Sequence, residues 1–274
     1  MTSPVPVLIT GLGLMGGSLA AALTAAGWPV LLHHHRPEVA HDAARRGWGT
    51  PVADFAAAHQ ARIAVICTPV SLIAPTARLI AAATSALITD VGSTKGGICA
   101  DLADLAGRFI GSHPMCGSHL QGLGNADPQL YAGRLTILTP TTAEPNARAQ
   151  IEAMWRAVGC RLLHLSPTAH DRVVAEASHL PQVLASLAAA QLSAEAAPVA
   201  ATGFRDTTRI AGGSSTLWRD ILLANREALA PLLADSRARL AELEALLAAN
   251  DGDGVRAWLA AGRAGRQRYD AAQG

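Results

Sequence analysis

Residues 5–16 read VPVLITGLGLMG, an apolar run followed at once by a glycine-rich turn that opens an alanine-rich helical stretch, Gly16–Ala26. The turn fits G-x-G-x-x-G, and a strand before it and a helix after it are the context in which this pattern binds a dinucleotide. Gly11 permits a tight turn, Gly13 lets a pyrophosphate approach the backbone, and Gly16 lets the helix pack closely on the strand. The helix N-terminus also offers free N–H groups to phosphates. The predicted dinucleotide site consists of Gly11, Leu12, Gly13, Leu14, Met15 and Gly16.

Apolar runs of strand length alternate with helical stretches over the first 166 residues, which predicts parallel β-α-β units. The predicted strands are Val5–Thr10, Val30–His34, Ile63–Thr68, Ala86–Val91, Arg108–Gly111, Leu135–Thr139 and Cys160–Leu165. We therefore expect an α/β fold with a doubly wound parallel (Rossmann-type) sheet, followed by an all-helical second domain. Ligands of such sheets bind at the carboxyl ends of the strands.

The strand pattern stops near residue 167, so we predict a dinucleotide-binding domain of residues 1–166 and a helical substrate-binding domain of residues 167–274. The predicted helices of the second domain are Thr168–Ala190, Glu195–Gly203, Thr216–Leu247 and Gly254–Asp270. Leucines recur in it at spacings of three, four and seven, which indicates a buried stripe inside the domain or against a second subunit. These leucines are Leu229, Leu232, Leu233, Leu240, Leu243 and Leu247.

The composition excludes several classes of function. With 22 basic and 21 acidic residues the formal net charge is +1, which gives no general attraction for nucleic acid. No run of about 18 apolar residues occurs, so we expect no membrane span. The four cysteines form no C-x-x-C pair, which is typical of a reducing compartment. We expect a cytoplasmic protein without a signal peptide and without a metal site.

The second predicted strand ends in His33-His34-His35-Arg36, at the position that distinguishes NAD from NADP. A carboxylate there hydrogen-bonds the ribose 2′-hydroxyl of NAD, whereas basic residues accommodate the 2′-phosphate of NADP. No carboxylate occurs before Glu38. We predict NADP, bound by Arg36 and by one or both of His34 and His35. NAD is the alternative cofactor, and an exposed loop of neutral histidines that does not discriminate is the competing interpretation.

Four later segments carry clustered polar residues: Asp90–Gly96 (DVGSTKG), Gly111–Ser118 (GSHPMCGS), Ser178–Pro181 (SHLP) and Gly203–Gly213 (GFRDTTRIAGG). Together, and in this order, they resemble the prephenate/arogenate dehydrogenase family, which makes tyrosine or its keto-acid precursor. The resemblance covers nearly the whole chain. The Cys67-Thr68-Pro69 segment is most similar to short single-activity bacterial members, which include NADP-dependent arogenate dehydrogenases.

The resemblance implies an oxidative decarboxylation, in which hydride leaves C4 of arogenate or prephenate for NAD(P)+ and C1 expels carbon dioxide. It implies that neutral His113 accepts the proton of the C4 hydroxyl and that Ser93 hydrogen-bonds nearby, unless Ser93 only caps a helix. Arg209 matches the arginine that binds the ring carboxylate through its planar fork. The other matched residues are His179 and His119 for the substrate and Thr68 and Pro69 for the cofactor.

Four residues in or near these segments also have structural interpretations. Arg209 could instead form an ion pair with Asp206 or Asp220. Lys95 is expected to be solvated or to support a helix. The dipeptide His170-Asp171 is interpreted as a helix start and not as an acid–base pair.

His119 departs from the family pattern, because some prephenate-specific members have a glutamate at this position. The sequence therefore leaves the choice between arogenate and prephenate open. Family members dimerise through the helical domain, so the resemblance implies a homodimer that binds a small cyclohexadienyl substrate.

Two other functions remain as alternatives. A β-hydroxyacid dehydrogenase or imine reductase shares the glycine-rich turn, but such enzymes centre on a lysine or aspartate of the second domain, and no lysine follows Pro167. A non-catalytic dinucleotide sensor would have no reason to keep His113, Ser93 and Arg209 together.

Overall fold

A computed structural model describes residues 3–105, 107–116, 120–140 and 145–273. The chain forms two compact units, Met1–Arg226 and Glu227–Gly274. The boundary predicted between residues 166 and 167 stays a prediction. Among the described residues, no helix combines the length and the apolar character that crossing a bilayer requires.

The described part of the first unit contains an eight-stranded sheet. Its strands are β1 (Val7–Thr10), β2 (Val30–His33), β3 (Thr50–Pro51), β4 (Ile63–Ile66), β5 (Leu87–Asp90), β6 (Phe109–Pro114), β7 (Leu135–Thr139) and β8 (Arg161–His164). They lie in the order β3-β2-β1-β4-β5-β6-β7-β8, and all neighbours are parallel except β6 and β7. The predicted fold is confirmed, with two differences: β3 was not predicted, and β7 runs antiparallel to β6.

The described residues of this unit also form nine α-helices. They are α1 (Leu14–Ala25), α2 (Pro37–Arg45), α3 (Val70–Ala83), α4 (Gly96–Asp101), α5 (Pro145–Ala157), α6 (Pro167–Val174), α7 (Leu180–Ala190), α8 (Thr202–Thr208) and α9 (Ser215–Ala224). Of these, α5 was not predicted, although it buries Ile151, Met154 and Trp155 beside the sheet.

Alternating residues of the central strands supply two separate cores. Val7 and Ile9 pack with α1, α2 and α5 on one face, whereas Leu8 packs with α3 and α4 on the other. Because both faces are covered, β1 and β4 are buried at every position, as is typical of parallel strands. The helices thus leave the carboxyl ends of β1, β4, β5 and β6 as the edge at which a ligand can bind.

Three predicted helices differ from the structure. The helix predicted over Thr168–Ala190 is interrupted by a π-helical segment, Ala175–His179, before α7 begins. The helix predicted over Glu195–Gly203 is wrong, since Pro198 lies in a short 3-10 turn and α8 begins only at Thr202. The helix predicted over Thr216–Leu247 breaks at Asn225, whose side chain is buried and hydrogen-bonded to other segments.

The described residues of the second unit form two long helices, α10 (Arg226–Ala248), whose first residue belongs to the first unit, and α11 (Gly252–Gln273). Residues 249–251 connect them, and the carboxylate of Asp251 accepts a hydrogen bond from the N–H of Gly254 at 2.9 Å. Both helices carry exposed apolar side chains: Leu240, Leu247, Leu259 and Tyr269.

Candidate active site

The glycine-rich turn between β1 and α1 has the geometry that its sequence predicts. Gly11 has a φ of +91°, and a Cβ there would lie 2.7 Å from the carbonyl oxygen of Cys67. A Cβ on Gly16 would lie 2.0 Å from the carbonyl oxygen of Gly11, so helix and turn touch through this glycine. A Cβ on Gly13, by contrast, would meet no atom within 4 Å. The chain therefore leaves open space at Gly13.

This turn fits a dinucleotide. Gly13 caps α1 without a side-chain hydrogen bond, and the first turn of α1 has no acidic residue. The first N–H groups of an α-helix have no carbonyl partner within the helix, so they are available to phosphate oxygens. Thr68, which follows β4 beside the turn, has a buried Oγ1 with no partner among the described residues. The side chain of Leu12 is buried in the core, so only its backbone can contact a ligand.

At the end of β2, the histidines differ in environment. His33 Nδ1 lies 2.8 Å from Thr10 Oγ1, and the rings of His34 and His35 lie 4.2 Å apart between centroids. His34 Nδ1 accepts a hydrogen bond from the N–H of Arg36. Burial lowers the pKa of His34, and the neighbouring His35 and Arg36 lower it further, so this ring is neutral at pH 7. Arg36 is exposed and is the fixed cation of this cluster.

A cavity of about 380 Å³ lies in the first unit and brings together Ser93, His113 and Arg209. Gln182 also lines it; this side chain is buried, and its Oε1 accepts no hydrogen bond from the described residues. His119 lies outside the described residues. The cavity thus unites three of the predicted residues, and Gln182 is an addition that the sequence did not predict.

His113 is the last residue but one of β6 and is buried. Its Nδ1 lies 2.9 Å from Nε2 of His170, and Nδ1 of His170 lies 2.8 Å from Oδ1 of Asp171. Burial lowers the pKa of His113 well below its usual value, and the charges of His170, Lys95 and His179 act in the same direction. His113 is therefore a neutral base at physiological pH. His170 and Asp171 lie near the start of α6, as predicted, but their side chains also join this chain of hydrogen bonds, which the sequence did not predict.

Lys95 is fully buried and forms an ion pair with Asp90, which is also fully buried. Asp90 is the last residue of β5, and its carboxylate also accepts hydrogen bonds from the N–H groups of Gly92 and Ser112. The expectation that Lys95 is solvated was wrong. Gly111 explains why, because a Cβ there would lie 2.9 Å from Lys95 Cδ, so the lysine stem occupies the space that this glycine leaves.

His179 is not among the described residues that line the cavity. It is buried in the π-helical segment, with its ring edge-on to Trp218 at 6.1 Å between centroids. Asn225 Nδ2 donates to its Nδ1, and burial lowers its pKa to about 4 against the opposing effect of Asp171. Its Nε2 has no partner among the described residues. A contact between His179 and the substrate stays a prediction.

Arg209 lies at the end of α8 and is exposed. The two carboxylates that could have neutralised it are in ion pairs with other arginines, Asp206 with Arg205 and Asp220 with Arg219. Its guanidinium therefore supplies a positive charge at the cavity wall.

The glycine-rich turn and the cavity lie at the same edge of the sheet. A Rossmann-type sheet with a turn that fits a dinucleotide, beside a cavity with a neutral histidine and an arginine, defines a dinucleotide-dependent dehydrogenase.

Comparisons with known proteins identify the family. The model described as prephenate dehydrogenase, nucleotide-binding domain, matches residues 19–164, and prephenate dehydrogenase, dimerization domain, matches residues 166–261. The cyclohexadienyl dehydrogenase of Zymomonas mobilis is 34% identical over 90% of this chain and 90% of its own length. The chain belongs to the prephenate dehydrogenase family, as its polar segments predicted.

Solved structures agree with this assignment. Prephenate dehydrogenase from A. aeolicus, in complex with hydroxyphenyl propionate and NAD+, is 28% identical, with a TM-score of 0.89 over 98% of this chain and 99% of that chain. Synechocystis arogenate dehydrogenase is 29% identical, with a TM-score of 0.83 over 96% and 99%. An imine reductase from Pseudomonas sp. is 17% identical, with a TM-score of 0.54 over 97% and 95%, and shares the fold alone. A nicotinamide dinucleotide is thus the cofactor of this chain.

Proposed function

We propose that this chain catalyses the oxidative decarboxylation of a cyclohexadienyl substrate, arogenate or prephenate, in tyrosine biosynthesis. The observation that carries the proposal is the cavity in which a buried, neutral His113 and the exposed cation Arg209 lie together. The reaction needs a proton acceptor at the C4 hydroxyl and a cation for a carboxylate, and these two residues supply them.

In this proposal His113 takes the proton of the C4 hydroxyl while Ser93 hydrogen-bonds the same oxygen. The bound nicotinamide dinucleotide supplies the hydride acceptor. Loss of hydride and proton leaves a ketone at C4, and the bond from C1 to its carboxylate then breaks. Carbon dioxide departs, the electron pair aromatises the ring, and His113 returns the proton to the phenolate oxygen. Arg209 holds the ring carboxylate by a charge-assisted hydrogen bond until this bond breaks.

We further propose that the cavity accepts both substrates. Prephenate carries a keto oxygen where arogenate carries an ammonium group. Prephenate therefore needs a hydrogen-bond donor at this position, and arogenate needs an acceptor. The amide of Gln182 offers both, since its Nε2 donates and its Oε1 accepts. Its Nε2 makes only a long hydrogen bond of 3.4 Å to Ser186 Oγ, and its Oε1 makes none to the described residues. No carboxylate is among the described lining residues to favour the ammonium.

NADP is the proposed cofactor, because Arg36 is an exposed cation at the end of β2 and no acidic residue precedes Glu38. His34, as a neutral ring whose Nδ1 accepts from the N–H of Arg36, would then donate a hydrogen bond to the 2′-phosphate through its Nε2, and His35 would donate a second one. Leu12, Leu14, Met15, Thr68 and Pro69 would complete the cofactor site around the three glycines.

We also propose that residues 1–166 bind the cofactor, that residues 167–274 complete the substrate site, and that the latter form a homodimer interface. The exposed side chains of Leu240 and Leu247 in α10 support the last point, because an apolar stripe is usually covered in the assembled protein. The matching family description, dimerization domain, agrees with it.

Steady-state assays with arogenate and prephenate, each with NADP and with NAD, test the proposal. We expect reduction of the cofactor with both substrates and a higher kcat/KM with NADP. If neither substrate reduces either cofactor, the proposed reaction is wrong. If only one substrate reacts, the role given to Gln182 is wrong.

A further inference from the structure

Three side chains, those of the neighbours Asp171 and His170 and that of the sequence-distant His113, form one line of hydrogen bonds that ends at the cavity. It runs from Asp171 Oδ1 to His170 Nδ1 over 2.8 Å, and from His170 Nε2 to His113 Nδ1 over 2.9 Å. His170 is fully buried and His113 is nearly so. Of these three side chains, only His113 has a role in the mechanism proposed above. The roles of His170 and Asp171 therefore need an explanation.

Asp171 fixes which nitrogen of His170 carries the proton. Burial opposes the charge of this carboxylate, but hydrogen bonds from His170 and from the N–H groups of Lys95 and Gly96 outweigh it and lower its pKa. An ionised carboxylate can only accept hydrogen bonds, so His170 Nδ1 must carry the N–H. A neutral imidazole has one N–H, so in the neutral form of His170 the Nε2 atom is an acceptor.

The same argument then fixes the proton of His113. Since His170 Nε2 accepts, His113 Nδ1 must donate, and the single N–H of neutral His113 is on Nδ1. Its Nε2 then has a free lone pair. A base can take a proton from a hydroxyl only through such a lone pair, so the opposite tautomer of His113 would be inactive.

We propose that His170 and Asp171 are positioning residues that hold His113 in the Nδ1–H tautomer and so keep its Nε2 ready to accept the substrate proton. This role of Nε2 rests on the function proposed above. Once His113 is protonated, its Nδ1–H still donates to His170, so the line stabilises the cation that forms in the reaction. His113 is on β6, whereas His170 and Asp171 are on α6, and the N–H groups of Lys95 and Gly96 hold Asp171 in place.

Nuclear magnetic resonance of the imidazole nitrogens determines the tautomer of His113 directly in the full-length enzyme without substrate. The protein is labelled with 15N-histidine, and the imidazole nitrogen shifts show which nitrogen carries hydrogen, with His113→Asn identifying the signal of His113. We expect Nδ1–H in the native protein and a mixture of tautomers in His170→Leu. An Nε2–H tautomer in the native protein overturns the inference, whatever substrate the enzyme uses.

Kinetics provide the second readout. His170→Leu should lower kcat by about 10²-fold with little change in KM, as expected for loss of an oriented base. His170→Gln, whose amide oxygen can accept from His113 Nδ1, should recover kcat to within about tenfold of the native value. The exposed His59→Gln is the matched control. A native kcat in His170→Leu overturns the inference. A kcat that does not recover in His170→Gln, when the Tm of that variant is native, also overturns it. If the native enzyme itself is inactive, the proposed function is refuted instead.

Discussion

Lys95→Met should destabilise the protein strongly, because it leaves the carboxylate of Asp90 buried without its ion-pair partner. Methionine keeps most of the apolar stem that packs against Gly111, so the change mainly removes the charge. Lys95 is also the only lysine of the sequence.

The magnitude follows from what remains around Asp90. Removing one partner of a buried ion pair costs about 3–5 kcal/mol. The N–H groups of Gly92 and Ser112 still donate to the carboxylate, at 2.8 and 3.1 Å, so we expect the lower end, about 3 kcal/mol. At roughly 2–4 °C per kcal/mol for a chain of this size, Tm should fall by about 6–12 °C.

Thermal unfolding of the native protein and of two variants measures this effect. Lys95→Met combined with Asp90→Asn removes both charges and should be more stable than Lys95→Met alone, because no unpaired charge stays buried. The charge of Lys95 lowers the pKa of His113, so Lys95→Met should also move the acid limb of kcat/KM to higher pH. A Tm within about 2 °C of the native value, or a double variant less stable than the single one, would refute the reasoning.

Three further predictions concern the cofactor and the substrate. Gly16→Ala should lower both Tm and dinucleotide affinity, because its Cβ would lie 2.0 Å from a backbone oxygen. Gly13→Ala, whose Cβ would meet no atom within 4 Å, should keep the native Tm and weaken only dinucleotide binding, measured by calorimetry. Arg36→Ala should raise the KM for NADP by about tenfold or more and leave that for NAD unchanged, since it removes one charge-assisted contact; equal effects on both would contradict the assignment. Arg209→Ala should raise the substrate KM by a similar factor of about tenfold. Its control, the double variant Arg205→Ala/Asp206→Ala, removes a neighbouring ion pair as a whole and should leave KM unchanged.

The features that the sequence predicts well are local ones. The turn from Gly11 to Gly16 follows from a short pattern next to a strand, and each glycine has its reason within a few residues or in the adjacent strand. The direction of β7 was not predictable in this way, because parallel and antiparallel strands show the same apolar runs. The predicted helix through Asn225 was wrong because a hydrogen bond to His179, 46 residues away, determines where α9 ends.

The residues that support His113 were missed for the same reason. His113 and His170 are 57 positions apart, and their contact exists only once α6 lies against β6. Asp90 and Lys95 did leave a signal, since a carboxylate ends an apolar strand and the one lysine of an arginine-rich chain follows shortly after. Such an isolated pair indicates a buried ion pair, whereas a surface position would have accepted arginine equally well.

The central claim is that neutral His113 takes the substrate proton, and the pH dependence of kcat/KM in the native enzyme and in His113→Asn tests it most directly. Burial and the facing groups His170, Lys95 and His179 lower the pKa of His113, so its active, neutral form persists well below pH 6.5. The native enzyme should therefore lose activity only on acidification below that value. His113→Asn should lose this acid limb and about 10²–10⁴ of kcat at pH 7. An unchanged limb in the variant, or a kcat close to the native value, would contradict the account.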